Sequence, residues 1–143
     1  MNERVRALWA RTRLHIWLER SVLASLPVDR LPAATALLAR AGDAFAALIR
    51  ERDEVSLTLP ESLRADLERL ATRVAGPYRV ITFDLALELD VVGYLVPALE
   101  RLAAAGVSIA PQCGYRTDHL LVFDHDLDAA VRTLEGLVRE SAS

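Results

Sequence analysis

Apolar and polar residues alternate over residues 81–89, in the second half of the chain. The odd positions are apolar: Ile81, Phe83, Leu85, Leu87 and Leu89. The residues between them include Thr82, Asp84 and Glu88. Strict alternation over this length predicts a half-buried strand, with one face on a core and the other toward water or a second layer.

The apolar spacing then changes to three and four, which predicts an amphipathic helix from Val92 to Ala103. Asp90 precedes this helix as an N-cap candidate, and Gly106 follows it as a terminator. Pro97 is tolerated only in a first turn, because proline lacks a backbone N–H. The helix is therefore expected to begin near Gly93 or Tyr94, after a tight connection with free backbone N–H groups.

Two further strands and a helix complete the second half as β-α-β-β-α. Strands are predicted at Val107–Cys113 and His119–Phe123, with a turn between them, and the last helix at Leu127–Val138. Pro111 places the first of these strands at a sheet edge or on a bulge.

The first half repeats this order loosely, after an N-terminal helix that carries Trp9. Strands are predicted at Leu14–Leu18 and Val22–Leu26, a helix at Ala33–Ala41, a hairpin from Ala44–Arg50 and Glu54–Leu59, and a helix from Pro60 through Val74 to Gly76-Pro77. The alternation of strands and helices predicts an α+β sandwich, with helices on one face of a mostly antiparallel sheet.

The composition of the chain argues against several classes of function. The 143-residue chain has a net charge of −3, so a nucleic-acid partner is not expected. No apolar run reaches the length of a membrane span, and none is predicted. Cys113 is the only cysteine, which excludes an intrachain disulfide and fits a reducing, cytoplasmic location.

Two clusters invite a chemical interpretation. Asp124-His125-Asp126 with His119 offers metal-ligand types, but the two aspartates also stand where a helix N-cap and its favourable negative charge belong. Cys113 with His119 offers a nucleophilic pair, but alternation places Cys113 beside Ile109 on a face expected to be buried. We favour the structural interpretation of both clusters, and we predict no catalytic residue, metal or cofactor.

The second half resembles the ACT domain family. The resemblance rests on Phe83-Asp84-Leu85, Val92-Gly93-Tyr94-Leu95, Leu102–Ile109 and Tyr115–Val122. The last of these segments is similar to one found in small bacterial proteins with two ACT units and in animal cytosolic arginine sensors. Arg30-Leu31-Pro32 and the segment from Phe45 to Leu57 extend a weaker resemblance into the first half.

The resemblance implies ferredoxin-like βαββαβ units, two in tandem, that bind small effectors at an interface between units. The expected division is residues 1–76, with the extra N-terminal helix, and residues 77–143. The implied ligand is a carboxylate-bearing metabolite, with an amino acid expected. A homodimer is expected because closed two-fold assemblies are the commonest soluble oligomers, and a partner protein is expected to recognise the ligand-bound arrangement. The site residues carried over are Asp90, Val92, Gly93, Tyr94, Ile109, Thr117 and Asp118.

Three points stay open at this stage. Tyr94 is either a pocket wall or a ring packed at a helix start, and Asp118 either receives an amino group or ends a turn. Pro111–Gly114 departs from the family pattern, so the alternative function is a structural docking or dimerisation module with a degenerate site. The second half also lacks a fourth strand, and we expect Leu14–Leu18 to cross over and supply it.

Overall fold

A computed structural model describes all residues from 1 to 143. In chain order the helices and strands are α1 (Glu3–Arg11), β1 (Arg13–Ile16), β2 (Ser21–Leu26), α2 (Leu31–Ala39), β3 (Ala47–Arg50), β4 (Val55–Pro60), α3 (Arg64–Glu68), β5 (Arg73–Asp84), α4 (Val96–Ala104), β6 (Ile109–Cys113), β7 (Asp118–Phe123) and α5 (Leu127–Ser141). Short 3₁₀ turns precede α2, α3 and α5. The α+β, ferredoxin-like class predicted from the sequence is confirmed.

The chain forms two compact units, and the first comprises Trp17–Arg79. Its strands lie in the order β3-β4-β2-β5, all antiparallel. The core joins this sheet to α2 and α3 through buried aliphatic residues that include Val22, Leu57 and Leu67. The predicted hairpin is present, with Arg52 and Asp53 in its turn.

The second unit comprises Met1–Ile16 and Val80–Ser143. Its strand order is β6-β7-β5-β1, so β6 lies at a sheet edge, as Pro111 predicts. The core is built on Ile81, Phe83, Leu120 and Val122 from the strands, and on residues from α1, α4 and α5. This unit therefore has the full βαββαβ complement of strands, although they are not consecutive in sequence.

The fourth strand of this unit comes from the start of the chain. Residues of β1 pair antiparallel with β5, in a register that sets Leu14 opposite Phe83 and Ile16 opposite Ile81. This pairing confirms the predicted crossover. It also corrects the predicted division after residue 76, because residues 1–16 belong to the same compact unit as residues 80–143.

Several predicted elements differ from the observed ones by a few residues at an end, and the largest differences concern β5 and α3. Strand β5 begins at Arg73 and ends at Asp84, so residues 85–89 are not a strand despite their alternation. Helix α3 ends at Glu68, and Val74 lies in β5. Gly76-Pro77, which the sequence predicts as a helix terminator, instead lies at a register irregularity within that strand.

Helix α4 begins at Val96, after the predicted start near Gly93 or Tyr94, and its N-cap residue is Leu95 and not Asp90. Pro97 is the second residue of the helix, in the first turn as predicted. At the other end Gly106 has a φ of 75°, and the N–H of Val107 donates to the carbonyl of Leu102. This is a glycine C-cap of the Schellman type, which satisfies carbonyls at the helix end.

Candidate functional site

A cavity of about 400 Å³ lies in the unit Met1–Ile16 with Val80–Ser143, between the segment that follows β5 and the β6–β7 turn. It is lined by Leu87, Glu88, Leu89, Val91, Gly93, Tyr94, Leu95, Val96, Cys113, Gly114, Tyr115, Arg116 and Asp118. The two walls are joined by a backbone hydrogen bond of 3.1 Å from the N–H of Leu87 to the carbonyl of Arg116.

The long connection from β5 to α4, residues 85–95, forms the first wall. Gly93 has a φ of 83°, a conformation that glycine adopts without steric cost. The N–H groups of Gly93, Tyr94 and Leu95 have no acceptor within the chain, and α4 begins at the next residue. Free N–H groups at a helix start attract anionic groups.

The opposite wall carries charged side chains of both signs. Asp118, at the start of β7, is half-buried and lies opposite Cys113 in the pairing of β6 with β7. Arg116 and Glu88 are exposed at the rim. The cavity therefore presents a cation, two carboxylates and backbone donors around an aliphatic lining.

Cys113 is exposed, and so the predicted burial of its thiol is wrong. Burial falls along β6 because this edge strand runs from the buried Val107 toward the rim of its unit. Partial desolvation of the thiol and the Asp118 carboxylate raise the pKa of Cys113 to about 11. The thiol is thus almost wholly protonated near neutral pH, which disfavours a role as a nucleophile.

His119 does not line the cavity. Its Nδ1 lies 2.7 Å from the Thr82 hydroxyl, and burial lowers the pKa of the imidazole. No group of three or more histidine, cysteine or acidic side chains is arranged to hold a metal ion. Asp126 precedes α5 at the N-cap position but makes no side-chain capping hydrogen bond. Its contribution to that helix start is therefore its charge.

Three of the seven residues carried over from the resemblance line the cavity: Gly93, Tyr94 and Asp118. The other four do not.

Asp90 is exposed and pairs with Arg4 at 3.4 Å, and Val92 is 80% exposed beside a neighbouring groove. Ile109 packs against the core, and the Thr117 carbonyl accepts a hydrogen bond from the N–H of Gly114.

Sequence reasoning missed most of the aliphatic lining and Arg116. The signal was present in the alternation of residues 85–89, which we interpreted as a strand. Without a strand partner, Leu87 and Leu89 instead line the cavity. Cys113 and Gly114, which belong to the departure from the family pattern, line it as well.

Fold and site together define an α+β, ferredoxin-like protein with a cavity beside the start of α4. Residues 73–136 match the family model described as the ACT domain. This part of the chain is therefore similar to the ACT domain, in agreement with the resemblance found in the sequence. None of the helices combines the length and apolar composition needed to cross a membrane.

Solved structures resemble the chain over most of its length. A Vibrio cholerae protein of unknown function, described as a possible transport protein, is 21% identical, with a TM-score of 0.75 over 94% of this chain and 95% of that one. An Agobacterium tumefaciens protein is 23% identical, with a TM-score of 0.68 over 89% of each chain.

The regulatory subunit of aspartate kinase from Thermus thermophilus, in its ligand-free form, is 12% identical, with a TM-score of 0.63 over 88% of this chain and 97% of that one. At such identities the likeness concerns the fold. The comparison with curated proteins returned no match.

Proposed function

We propose that this chain is a non-catalytic regulatory protein that binds a free amino acid in the cavity beside α4. The observation that carries the proposal is the cavity itself. Backbone N–H donors lie on one wall and the Asp118 carboxylate on the other. An α-amino acid carries both matching charges, an anionic carboxylate and a cationic amino group.

In this proposal the carboxylate binds at the loop. The N–H groups of Gly93, Tyr94 and Leu95 precede a nine-residue helix whose N-terminal dipole favours an anion. Arg116, across the cavity rim, adds a full positive charge for the same group. Neither contribution requires the side chains of Pro111–Gly114, where the chain departs from the family pattern.

The amino group binds at Asp118. This carboxylate is half-buried, and a charge-assisted hydrogen bond to it is stronger than one made in open water. Glu88 lies at the rim and strengthens the preference for a cation there. The aliphatic lining, above all Leu87 and Leu95, then receives the side chain. A cavity of about 400 Å³ falls within the usual size for small-molecule sites.

The ACT domain match and the regulatory subunit among the similar structures support a regulatory role for the chain. The high pKa of Cys113 supports a role without nucleophilic catalysis. A ligand acts in such a protein by stabilising one conformation or assembly that a partner then recognises. Neither a cofactor nor a metal enters this proposal.

We further propose a homodimer that places the cavity at an interface between ACT units. Five of the seven exposed large hydrophobic residues surround the loop: Met1, Leu89, Val92, Val96 and Tyr115. Exposed apolar residues concentrated in one region are typical of a binding surface.

The same surface favours a second candidate function, a docking or dimerisation module with no ligand. It would use Leu89, Val92 and Tyr115 as contacts, and the Pro111–Gly114 departure would mark a site that has lost its ligand. The two functions differ in one respect, because only the first predicts a saturable stabilisation by a small molecule.

The deciding experiment is a thermal-shift screen against each of the twenty amino acids. At about a hundred times its Kd, a bound amino acid adds roughly 2.7 kcal/mol of stability. This corresponds to a Tm increase of about 5–10 °C for a chain of this size. Gly93→Glu, which puts a carboxylate at the loop, should abolish the shift.

Asp118→Asn should weaken binding strongly, whereas Asp84→Asn, a matched change at an exposed carboxylate away from the cavity lining, should not. A protein that melts cooperatively and responds to none of the twenty would favour the docking module.

A further inference from the structure

The N-terminal helix α1 is attached directly to the loop that forms the first cavity wall. The indole Nε1–H of Trp9 donates a hydrogen bond of 2.7 Å to the backbone carbonyl of Tyr94. Trp9 is fully buried, so this bond is shielded from water. The carbonyl it engages belongs to one of the three residues whose N–H groups face no acceptor in the chain.

The Tyr94 side chain is held by the same helix. Its ring stacks on the Trp9 indole, with the centroids 4.8 Å apart and the planes 11° from parallel. Its hydroxyl lies 2.7 Å from the hydroxyl of Thr12, the residue that caps the C-terminus of α1. Tyr94 is only 4% exposed, so the interpretation of its ring as one packed at a helix start is the one the structure supports.

Thr12 is fixed in turn. Its Oγ1 donates to the Leu8 carbonyl at 2.9 Å, which leaves the oxygen lone pairs available to the Tyr94 hydroxyl. Desolvation by burial raises the pKa of Tyr94 to about 12, so the phenol is neutral and remains a donor over the physiological range. The contacts from Trp9 and Thr12 therefore fix both the backbone and the side chain of Tyr94.

Two further features tie α1 to the loop. Met1, Asn2 and Val5 line a groove of about 290 Å³ whose other side includes Val92 and Gly93. Arg4 pairs with Asp90 across it, although both side chains are largely exposed and the pair adds little by itself. Helix α1 lies outside residues 73–136, the part of the chain that matches the ACT domain.

We propose that α1 is a positioning element for the ligand-binding loop, and that Trp9 and Thr12 are its positioning residues. The inference rests on the proposed function, because it takes the loop as the carboxylate-binding wall. Neither residue lines the cavity. Each acts through Tyr94, whose main chain they hold so that its N–H and those of its neighbours stay ordered before binding.

A consequence is that ligand affinity and the docking of α1 are linked. Preorganised donors bind more tightly than donors that must first be ordered. By linkage, anything that displaces α1 weakens binding, and the ligand stabilises the docked helix by the same factor. The start of the chain thus becomes a point at which a partner can control the site.

The first test needs no amino acid. Hydrogen exchange is measured at the Trp9 indole and at the backbone N–H groups of Val96 and Leu99, which bond to carbonyls in and beside the loop. Thr12→Val and Tyr94→Phe should each accelerate exchange about fivefold, the effect of losing one ordinary hydrogen bond.

Thr12→Ser keeps the hydroxyl and should restore rates to within about twofold of the unmodified chain. Tyr94→Phe removes the same hydrogen bond but retains the ring stack on Trp9, so the test can still be made if Thr12→Val does not fold. Unchanged exchange in both variants would overturn the inference.

The second test follows the Trp9 indole resonance while each of the twenty amino acids is added. The Trp17 indole, in the other compact unit, is the internal control, and Trp17→Phe assigns the two signals. An amino acid that raises Tm should move the Trp9 signal only, and it should bind Thr12→Val about fivefold more weakly and Thr12→Ser normally.

Suppose that an amino acid binds, and that Asp118→Asn weakens this binding. If the Trp9 signal then does not move and Thr12→Val binds with undiminished affinity, the positioning role of α1 is wrong, while the proposed function stands. If none of the twenty amino acids binds, the proposed function is wrong. The hydrogen-exchange rates of the first test would still decide whether α1 holds the loop.

Discussion

The two compact units share a topology but differ in the connection between the first strand and the first helix. In the unit Trp17–Arg79, β2 is joined to α2 by residues 27–30, most of which form a 3₁₀ turn. In the other unit, β5 is joined to α4 by residues 85–95. Both helices are nine residues long and carry proline at the second position, Pro32 and Pro97.

The longer connection gives the unit Met1–Ile16 with Val80–Ser143 a cavity that a short turn could not form. A short turn delivers the chain directly into the helix, whereas residues 85–95 have room to form a cavity wall with free N–H groups. A long connection loses more conformational entropy when it is ordered. The unit with the long connection is also the one with an additional helix, α1, bonded to that connection through Trp9.

The largest expected effect tests whether α1 is an integral part of its unit. Trp9→Ala should cost about 3–5 kcal/mol in the free energy of unfolding, because the ring is fully buried against Phe83 and Tyr94. Trp17→Ala is the matched change in the other unit. It should cost about 1 kcal/mol, because Trp17 is half-buried and meets Phe45 edge-on. Urea denaturation measures both, and equal losses would contradict the account.

The next effect is a loss of stability at high pH. The pKa of Tyr94 is raised from 10 to about 12, so the folded state holds the phenol proton more tightly than the unfolded chain does. The resulting stabilisation is complete below pH 10 and is lost as the pH rises through about 12. It amounts to at most about 3 kcal/mol.

A Cys113→Ser background removes the thiol, which titrates in an overlapping range. In that background, Tyr94→Phe should flatten the dependence of Tm on pH above 10. A slope that survives Tyr94→Phe would assign the effect to another group.

Two glycines should respond in opposite directions to alanine. Gly93→Ala should destabilise by about 1 kcal/mol, because a Cβ meets no atom there but the φ of 83° disfavours any side chain. Gly136→Ala, in the middle of α5 and equally free of clashes, should stabilise by about 1 kcal/mol through helix propensity. Thermal unfolding measures the pair, and a stabilising Gly93→Ala would show that the loop does not retain this conformation.

The smallest effect compares one ion pair in each unit. Arg4–Asp90 at 3.4 Å and Arg40–Asp66 at 2.9 Å both join exposed or partly exposed side chains. Arg4→Ala and Arg40→Ala should therefore each change the free energy of unfolding by about 0.5 kcal/mol or less. A loss above about 1 kcal/mol for Arg4→Ala alone would assign the anchoring of the loop to charge, and not to Trp9 and Tyr94.

The sequence predicts this fold well wherever local patterns and backbone rules agree. Proline chemistry placed Pro97 in the first turn of α4, and a missing strand led to the crossover of residues near Leu14. The bounds of β5 failed at both ends for different reasons. Gly76-Pro77 resembles a helix terminator, and Leu85 to Leu89 keep the period of a strand without a partner strand.

The candidate site could be predicted from the sequence only in part. Gly93 and Asp118 follow from a resemblance in the motif, but Leu87 and Arg116 reach the cavity only because the connection folds against the β6–β7 turn. Such a contact depends on tertiary structure and leaves no local periodicity. The attachment of Trp9 to Tyr94 likewise joins residues 85 positions apart, and only the folded chain reveals it.

The most direct measurement of the central claim is a two-dimensional ¹H–¹⁵N spectrum of the chain recorded with each amino acid in turn. The account predicts that at least one amino acid shifts the N–H signals of Gly93, Leu95 and Asp118 saturably. The signals of β2 and β4, in the other unit, should stay in place. Spectra unchanged by all twenty, or shifts confined to residues 17–79, would contradict a ligand site beside α4.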